Sequence, residues 1–167
     1  ESMPVNPSLA NNDEPTSAQL NDSIIWGFCE DKNNDLWIGT HYAGISKYDR
    51  SSQRFTKNTT SLGGLANNIV WTCLEDYKGR FWIGTSDGLS LKSPQADTFK
   101  NYRHEDGNAN SLRAASVLDI YQDAKQRLWF ATNEGLHLYR ENSDDFEVYS
   151  ADNGFINSGI RAITGDK

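Results

Sequence analysis

Three sets of side chains in this sequence have the types to do chemistry. The first is three histidines, His41, His104 and His137, set among many carboxylates. The histidines stand in unrelated contexts without the close spacing of a zinc or iron site, so no metal and no cofactor is expected. Glycoside hydrolysis would need one acid pair that stands apart from the rest. Asp31, Asp76 and Asp123 instead recur at regular intervals, as structural turn residues do, and no catalytic residue is nominated. The second set is two cysteines, Cys29 and Cys73, too few to define a disulfide framework. The third mixes aromatic rings with polar groups: Trp26, His41, Tyr42, Trp71, Asp87, Arg103, His104, Asn133 and Glu134. Flat rings beside amides and charges suit a sugar, which has an apolar ring face and a fringe of hydroxyls.

Composition removes several classes of partner. Charged residues make up 23% of the 167 and hydrophobic ones 37%, an ordinary globular balance. The net charge of −7, with Lys and Arg scattered singly, argues against nucleic acid and against an anionic membrane surface. No run approaches the roughly 18 apolar residues of a spanning helix, so no membrane contact is expected from this chain. Tyr, Trp, Phe, Gly and Asn are abundant and helical periodicity is lacking, which suits strands and tight turns.

The elements that must position the aromatic set come from a repeat. Trp37-Ile38-Gly39-Thr40 returns as Trp82-Ile83-Gly84-Thr85 and, altered, as Trp129-Phe130-Ala131-Thr132. Each tryptophan follows an aspartate by six residues: Asp31, Asp76 and Asp123. A glycine comes next (Gly44, Gly88, Gly135), and eleven residues later Phe55, Phe99 and Phe146. Length varies only between the tryptophan and the glycine, and between the phenylalanine and the next aspartate. Variable stretches mark loops. Each copy reads as four strands: A, the apolar run before the aspartate; B, with the tryptophan; C, after the glycine; and D, with the phenylalanine. A fourth copy of strand A is expected at Gly159–Asp166.

Strands A and B are apolar on both faces, so each small sheet must be covered on both sides. Gly39, Gly84 and Ala131 are expected to leave room for a bulky neighbour. Four-stranded antiparallel sheets with a period near 45 residues describe propeller blades. The predicted fold class is therefore all-β, a partial β-propeller of four-stranded antiparallel blades, three complete plus the inner strand of a fourth. Expected bounds are 1–19 for a flexible leader and loop, 20–64, 65–111 and 112–157 for three blades, and 158–167 for the incomplete one. Cys29 and Cys73 fall in strand A of successive copies, one position out of register, and so are expected to face opposite ways. Neighbouring sheets stand about 10 Å apart, beyond the reach of a disulfide. Two unbonded, buried cysteines are the expectation.

The hydrophobic run followed by Asp-x-x-Gly-x-x-Trp-Ile-Gly-Thr and then Gly-Leu resembles the two-component regulator propeller repeat. Copy two shows it best, from Asp76 through Gly79 and Trp82 to Gly88-Leu89. There are departures. Asp35 and Gln126 lie at or beside the turn glycine in copies one and three, Lys92 replaces the strand C tyrosine, and Ala131 replaces glycine. The resemblance covers about residues 20 to 166. It implies the periplasmic sensor region of a hybrid two-component histidine kinase, with an oligosaccharide as ligand and the kinase outside this chain.

Propellers run from about four to eight blades, so the sequence reads as a fragment of a larger ring. The outer faces of blades one and three should then carry uncovered apolar residues, and self-association through them is expected. Residues 158–167 should be mobile or borrowed by a partner chain. Ligands in propellers usually sit on the loops joining D to A and B to C, where His41, Tyr42, Asp87, Arg103, His104, Asn133 and Glu134 fall. Trp26 and Trp71, at one position of strand A, should lie near the channel. The alternatives are a propeller enzyme (polysaccharide lyase or glycoside hydrolase) and a propeller that binds proteins.

Overall fold

The computed structural model describes residues 20, 22–61, 63–113, 115–155 and 159–165. The expected flexible leader at 1–19 lies outside them. Among the described residues, twelve strands form three separate four-stranded sheets. The first holds β1 (Ile25–Glu30), β2 (Leu36–Thr40), β3 (Ile45–Asp49) and β4 (Arg54–Asn58). The second holds β5 (Val70–Glu75), β6 (Phe81–Thr85), β7 (Gly88–Lys92) and β8 (Lys100–Tyr102). The third holds β9 (Val117–Gln122), β10 (Leu128–Thr132), β11 (Gly135–Arg140) and β12 (Asp145–Tyr149). Each is an antiparallel meander in chain order, as propeller blades are. Strands β1, β5 and β9 meet across the sheets and so form the inner edge.

The fixed six-residue step from aspartate to tryptophan has a direct cause. One carboxylate oxygen of Asp76 accepts the indole N–H of Trp82 at 2.9 Å. The other accepts the backbone N–H groups of Lys78 and Arg80, both at 2.9 Å, and so ties the turn between β5 and β6. Asp31 does the same for Trp37, Asn33 and Asp35. Asp123 does it for Trp129, Lys125 and Arg127. Burial works to raise the Asp123 carboxyl. The Trp129 indole, the Arg127 backbone N–H and the Arg127 guanidinium outweigh it and bring the carboxyl down to about 2. All three aspartates therefore clamp a hairpin and a core ring together.

The clamped tryptophans project from the far face of each blade onto the near face of the next. Trp37 and Ile45 pack on Val70, Cys73, Phe81 and Ile83. Trp82, Leu89, Leu91 and Tyr102 pack on Val117, Ile120, Leu128, Phe130 and Phe146. The glycines beside the tryptophans allow this approach. A Cβ on Gly39 would lie 2.7 Å from Val70 Cγ1, and one on Gly84 would lie 2.6 Å from the Val117 carbonyl. Leu65 and Leu112, from the loops joining D to A, plug the two interfaces. Their loops are pinned from strand C. Ser90 Oγ accepts the Ala66 N–H at 2.8 Å, and His137 Nε2 accepts the Arg113 N–H at 3.0 Å. Burial pushes the His137 imidazole down to about 4, against the Gly135 backbone and with the Arg113 cation, so at neutral pH it is an acceptor.

Two sequence expectations are corrected. Cys29 and Cys73 form a disulfide, with Cα atoms 5.8 Å apart. Opposite orientations within their own blades are what this bond requires: Cys29 points off the far face of blade one and Cys73 off the near face of blade two. The 10 Å separation of stacked sheets does not hold at the inner edge, where blades converge. A Cβ on Gly27 would lie 2.5 Å from the Trp71 carbonyl oxygen. At the turn, the position matching Gly79 is Asn34, with Asp35 beside it. Asn34, Gly79 and Gln126 all hold positive φ, at 62°, 73° and 65°, while Asp35 pairs with Lys47 at 2.9 Å. The second correction concerns residues 159–165, which form no strand. They lie against blade three instead, the Ile160 N–H donating to the Thr132 carbonyl and the Ile163 N–H to Asp119.

The uncovered near face of blade one is visible by internal comparison. Ile25 and Phe28 are 51% and 74% exposed, whereas Val70 and Val117 at the first position are fully buried. On the far face of blade three Trp129 is only partly buried, while Trp82 is completely so.

Replacing Asp76 with Ala strands a buried indole N–H, two backbone N–H groups and the Arg80 guanidinium. A loss of about 3 kcal/mol in urea unfolding is expected. Gln126→Gly relieves a left-handed backbone and should raise stability by about 1 kcal/mol in the same measurement.

Candidate functional site

At the start of each inner strand the ladder takes one extra residue. Pairing shifts register between Ile25 and Gly27, between Val70 and Thr72, and opposite Ala131 and Thr132. The inserted residues are Trp26, Trp71 and Leu118. A bulge bends its strand and re-aims its side chain, which takes these three residues out of the alternation of the two faces. It also explains how Val70 and Cys73, three residues apart, come to share one face.

The two bulge tryptophans meet. Their ring centroids are 4.9 Å apart with planes tilted by 51°. His41, from the turn between β2 and β3, stands edge-on to Trp26 at 5.6 Å and lies 3.9 Å from the Tyr42 ring. The Trp71 indole N–H donates to Ser86 Oγ at 2.9 Å, from the matching turn of blade two. Trp26 is 49% exposed and Tyr42 67%. Four rings thus form a shelf across the inner strands of two blades. The disulfide ties the same two strands three residues beyond Trp26 and two beyond Trp71.

The remaining nominated residues are tied into the turns and loops of blades two and three. Arg103 Nε pairs with Asp87 at 3.2 Å, and its Nη2 donates to the Ala66 carbonyl at 2.8 Å. That pair ties the turn after β6 to the loops on either side. Asn133 accepts the Ser116 N–H at 3.2 Å and closes the inner hairpin of blade three. Glu134 is exposed, and its backbone N–H donates to Thr132 Oγ1 at 3.2 Å. His104 works within its own loop, Nδ1 lying 2.9 Å from the Leu112 carbonyl and Nε2 3.1 Å from Asp106. Among the described residues, no group of three or more His, Cys, Asp or Glu is placed to hold a metal. The arrangement is a surface for stacking and hydrogen bonding.

Two features were missed in the sequence. Leu20, Leu65 and Leu112 each precede the clamp aspartate by eleven residues, a constant spacing that would have found the interface plug. The other is a cleft of about 500 Å³ between blades one and two, lined in part by Trp37, Lys47, Asp49, Asn58, Phe81 and Lys92. Its signal was Lys92, which the sequence shows only as a departure from the repeat.

Fold and site together define a segment of a β-propeller with an aromatic shelf on its inner strands. The two-component regulator propeller family matches at residues 19–42, 64–87 and 111–134. The chain carries two-component regulator propeller repeats, three of them in tandem. No curated protein matches the sequence. Among solved structures it is similar to the extracellular domain of a hybrid two-component system from B. thetaiotaomicron. That match has 20% identity and a TM-score of 0.77 over 87% of this chain and 21% of that one. It is also similar to virginiamycin B lyase from Staphylococcus aureus, at 13% identity and a TM-score of 0.61 over 88% of this chain and 47% of that one. Both likenesses are of fold. The chain thus spans about a fifth of the extracellular domain it matches. No helix among the described residues is long and apolar enough to cross a membrane.

The disulfide closes a loop with a sequence separation of 44 residues. Chain entropy assigns such a link about 4 kcal/mol at most, and about 2–4 kcal/mol is the usual range. Reduction by dithiothreitol should lower the denaturant midpoint accordingly, and Cys29→Ser should reproduce the loss without reductant.

Proposed function

We propose that this chain is part of the extracytoplasmic sensor propeller of a hybrid two-component regulator, and that its aromatic shelf takes the ring face of an oligosaccharide. The observation that carries the sensor reading is the family of its three repeats. The extracytoplasmic reading is supported by the disulfide between blades, a bond that persists in oxidising compartments. It is supported again by the likeness to an extracellular domain. The oligosaccharide reading rests on the shelf. Trp26 and Tyr42 are exposed rings, Ser86 hydrogen-bonds the Trp71 indole, and Asp87, the next residue in that turn, pairs with Arg103. The kinase that would receive the signal lies outside this chain, and the chain itself is a binding module rather than an enzyme.

Loss of one stacking ring removes about 1–2 kcal/mol of binding, which is about a 5- to 30-fold rise in Kd. Calorimetric titration of a neutral oligosaccharide panel into the parent extracellular region should find a ligand. Trp26→Ala and Trp71→Ala should each weaken it by that factor. A ligand bound equally well by both variants would remove the shelf from the site. Chain shortening of any polysaccharide by the purified protein would overturn the non-enzymatic reading.

A further inference from the structure

The two interfaces between blades are built from the same positions and yet are filled differently. Between blades two and three, the positions around Trp82 are Leu91 and Tyr102 from one side and Tyr139 from the other. Trp82 stands 6.1 Å from Tyr102 and 5.0 Å from Tyr139, and both phenols donate to Asp144. That interface is closed by aromatic packing. Between blades one and two, strand registers place Lys47 where Leu91 stands, Asn58 where Tyr102 stands, and Lys92 where Tyr139 stands. Two rings and an aliphatic chain are thus replaced by two lysines and an amide. The cleft of about 500 Å³ lies where those rings would have been.

Its walls have a defined chemistry. Trp37 and Phe81 form the floor, their centroids 4.3 Å apart. Lys47 is already neutralised, 2.9 Å from Asp35 and 3.4 Å from Asp31. Lys32 is paired with Glu75 at 3.5 Å. Asp49 is spent on its own turn, where Ser51 and Ser52 hold its carboxyl down to about 2. Lys92 differs from them all. Among the described residues it has no carboxylate within ion-pair distance, and its ammonium lies 5.3 Å over the face of Phe99. A cation over a ring face keeps most of its capacity to bind an anion. The volume falls in the range of small-ligand sites and suits one or two sugar rings.

We infer that the cleft between blades one and two is a binding site for a small sugar acid, whose carboxylate pairs with Lys92. The ring of the sugar lies over the Trp37–Phe81 floor, and its hydroxyls meet Thr56 and Asn58. This site is separate from the aromatic shelf, and its existence does not depend on the shelf's ligand.

The test is a titration of the isotope-labelled chain followed by amide chemical shifts. Three probes are used: galacturonic acid, its methyl ester, and galactose. Galacturonic acid should give saturable shifts at Lys47, Thr56, Asn58 and Lys92, with the ester and galactose at least 10-fold weaker. Lys92→Tyr restores the residue type found in blade three, fills the cleft and should abolish those shifts. Lys92→Met keeps the side-chain length and should weaken galacturonic acid at least 10-fold while leaving galactose unchanged. Equal binding of all three probes, retention of the shifts in Lys92→Tyr, or no saturable shift at these four amides would each overturn the proposal. Trp26→Ala should leave the titration unchanged, which separates failure here from failure of the shelf.

Discussion

A carboxylate shared between an indole N–H and the backbone of a tight turn is the interaction on which each blade depends. It acts at the hairpin joining the inner strand to the next, and it sets which way the large ring faces. Asp76 is almost fully buried with Trp82, so the bond is made where an unpaired donor would be costly. The ring held this way then becomes the surface on which the next blade packs. A local turn contact therefore propagates into the stacking of sheets.

Stacking follows from the two faces of a blade being different and complementary. The far face offers a tryptophan with Ile45 or Leu89; the near face offers small β-branched and sulfur-bearing residues at the inner edge and larger rings farther out. Gly39 and Gly84, two residues after their tryptophans, let the inner edges of neighbouring blades approach closely. Blades thus converge toward the axis and splay away from it, and a disulfide can span two of them near the axis. The splay also makes the outer part of each interface sensitive to side-chain size. Tyr102 and Tyr139 fill it between blades two and three, and Asn58 and Lys92 leave it open between blades one and two.

The bulge at the start of every inner strand is the second device. It takes one residue per blade out of the alternation of faces, and that residue is free of the packing rules that govern its neighbours. In two blades it is tryptophan and in the third leucine. With His41 and Tyr42 from a turn that is one residue longer in the first copy, the bulge residues supply an exposed aromatic surface on an otherwise well-buried sheet. The rigid inner strands hold the rings, and the turns add the polar groups.

What the sequence by itself determined was the repeat and all that a repeat carries: strand order, turn positions, core tryptophans and the antiparallel meander. These are set by local spacing, and three copies in step made them legible. The left-handed turn residue Gln126 was legible as a departure, although its backbone geometry was not, and Asn34 was passed over for its neighbour Asp35. Tertiary structure alone decided what happens between blades. The disulfide depends on the convergence of two inner strands at one radius, which an average sheet spacing cannot supply. The meeting of Trp26 with Trp71 depends on a bulge, a one-residue shift that no alternation pattern displays. The cleft depends on Lys47 and Asn58 of one blade facing Lys92 of the next, and these become neighbours only when the two blades stack. Periodicity records what each blade does alone; contacts between blades arise from positions the repeat treats as equivalent and the fold does not.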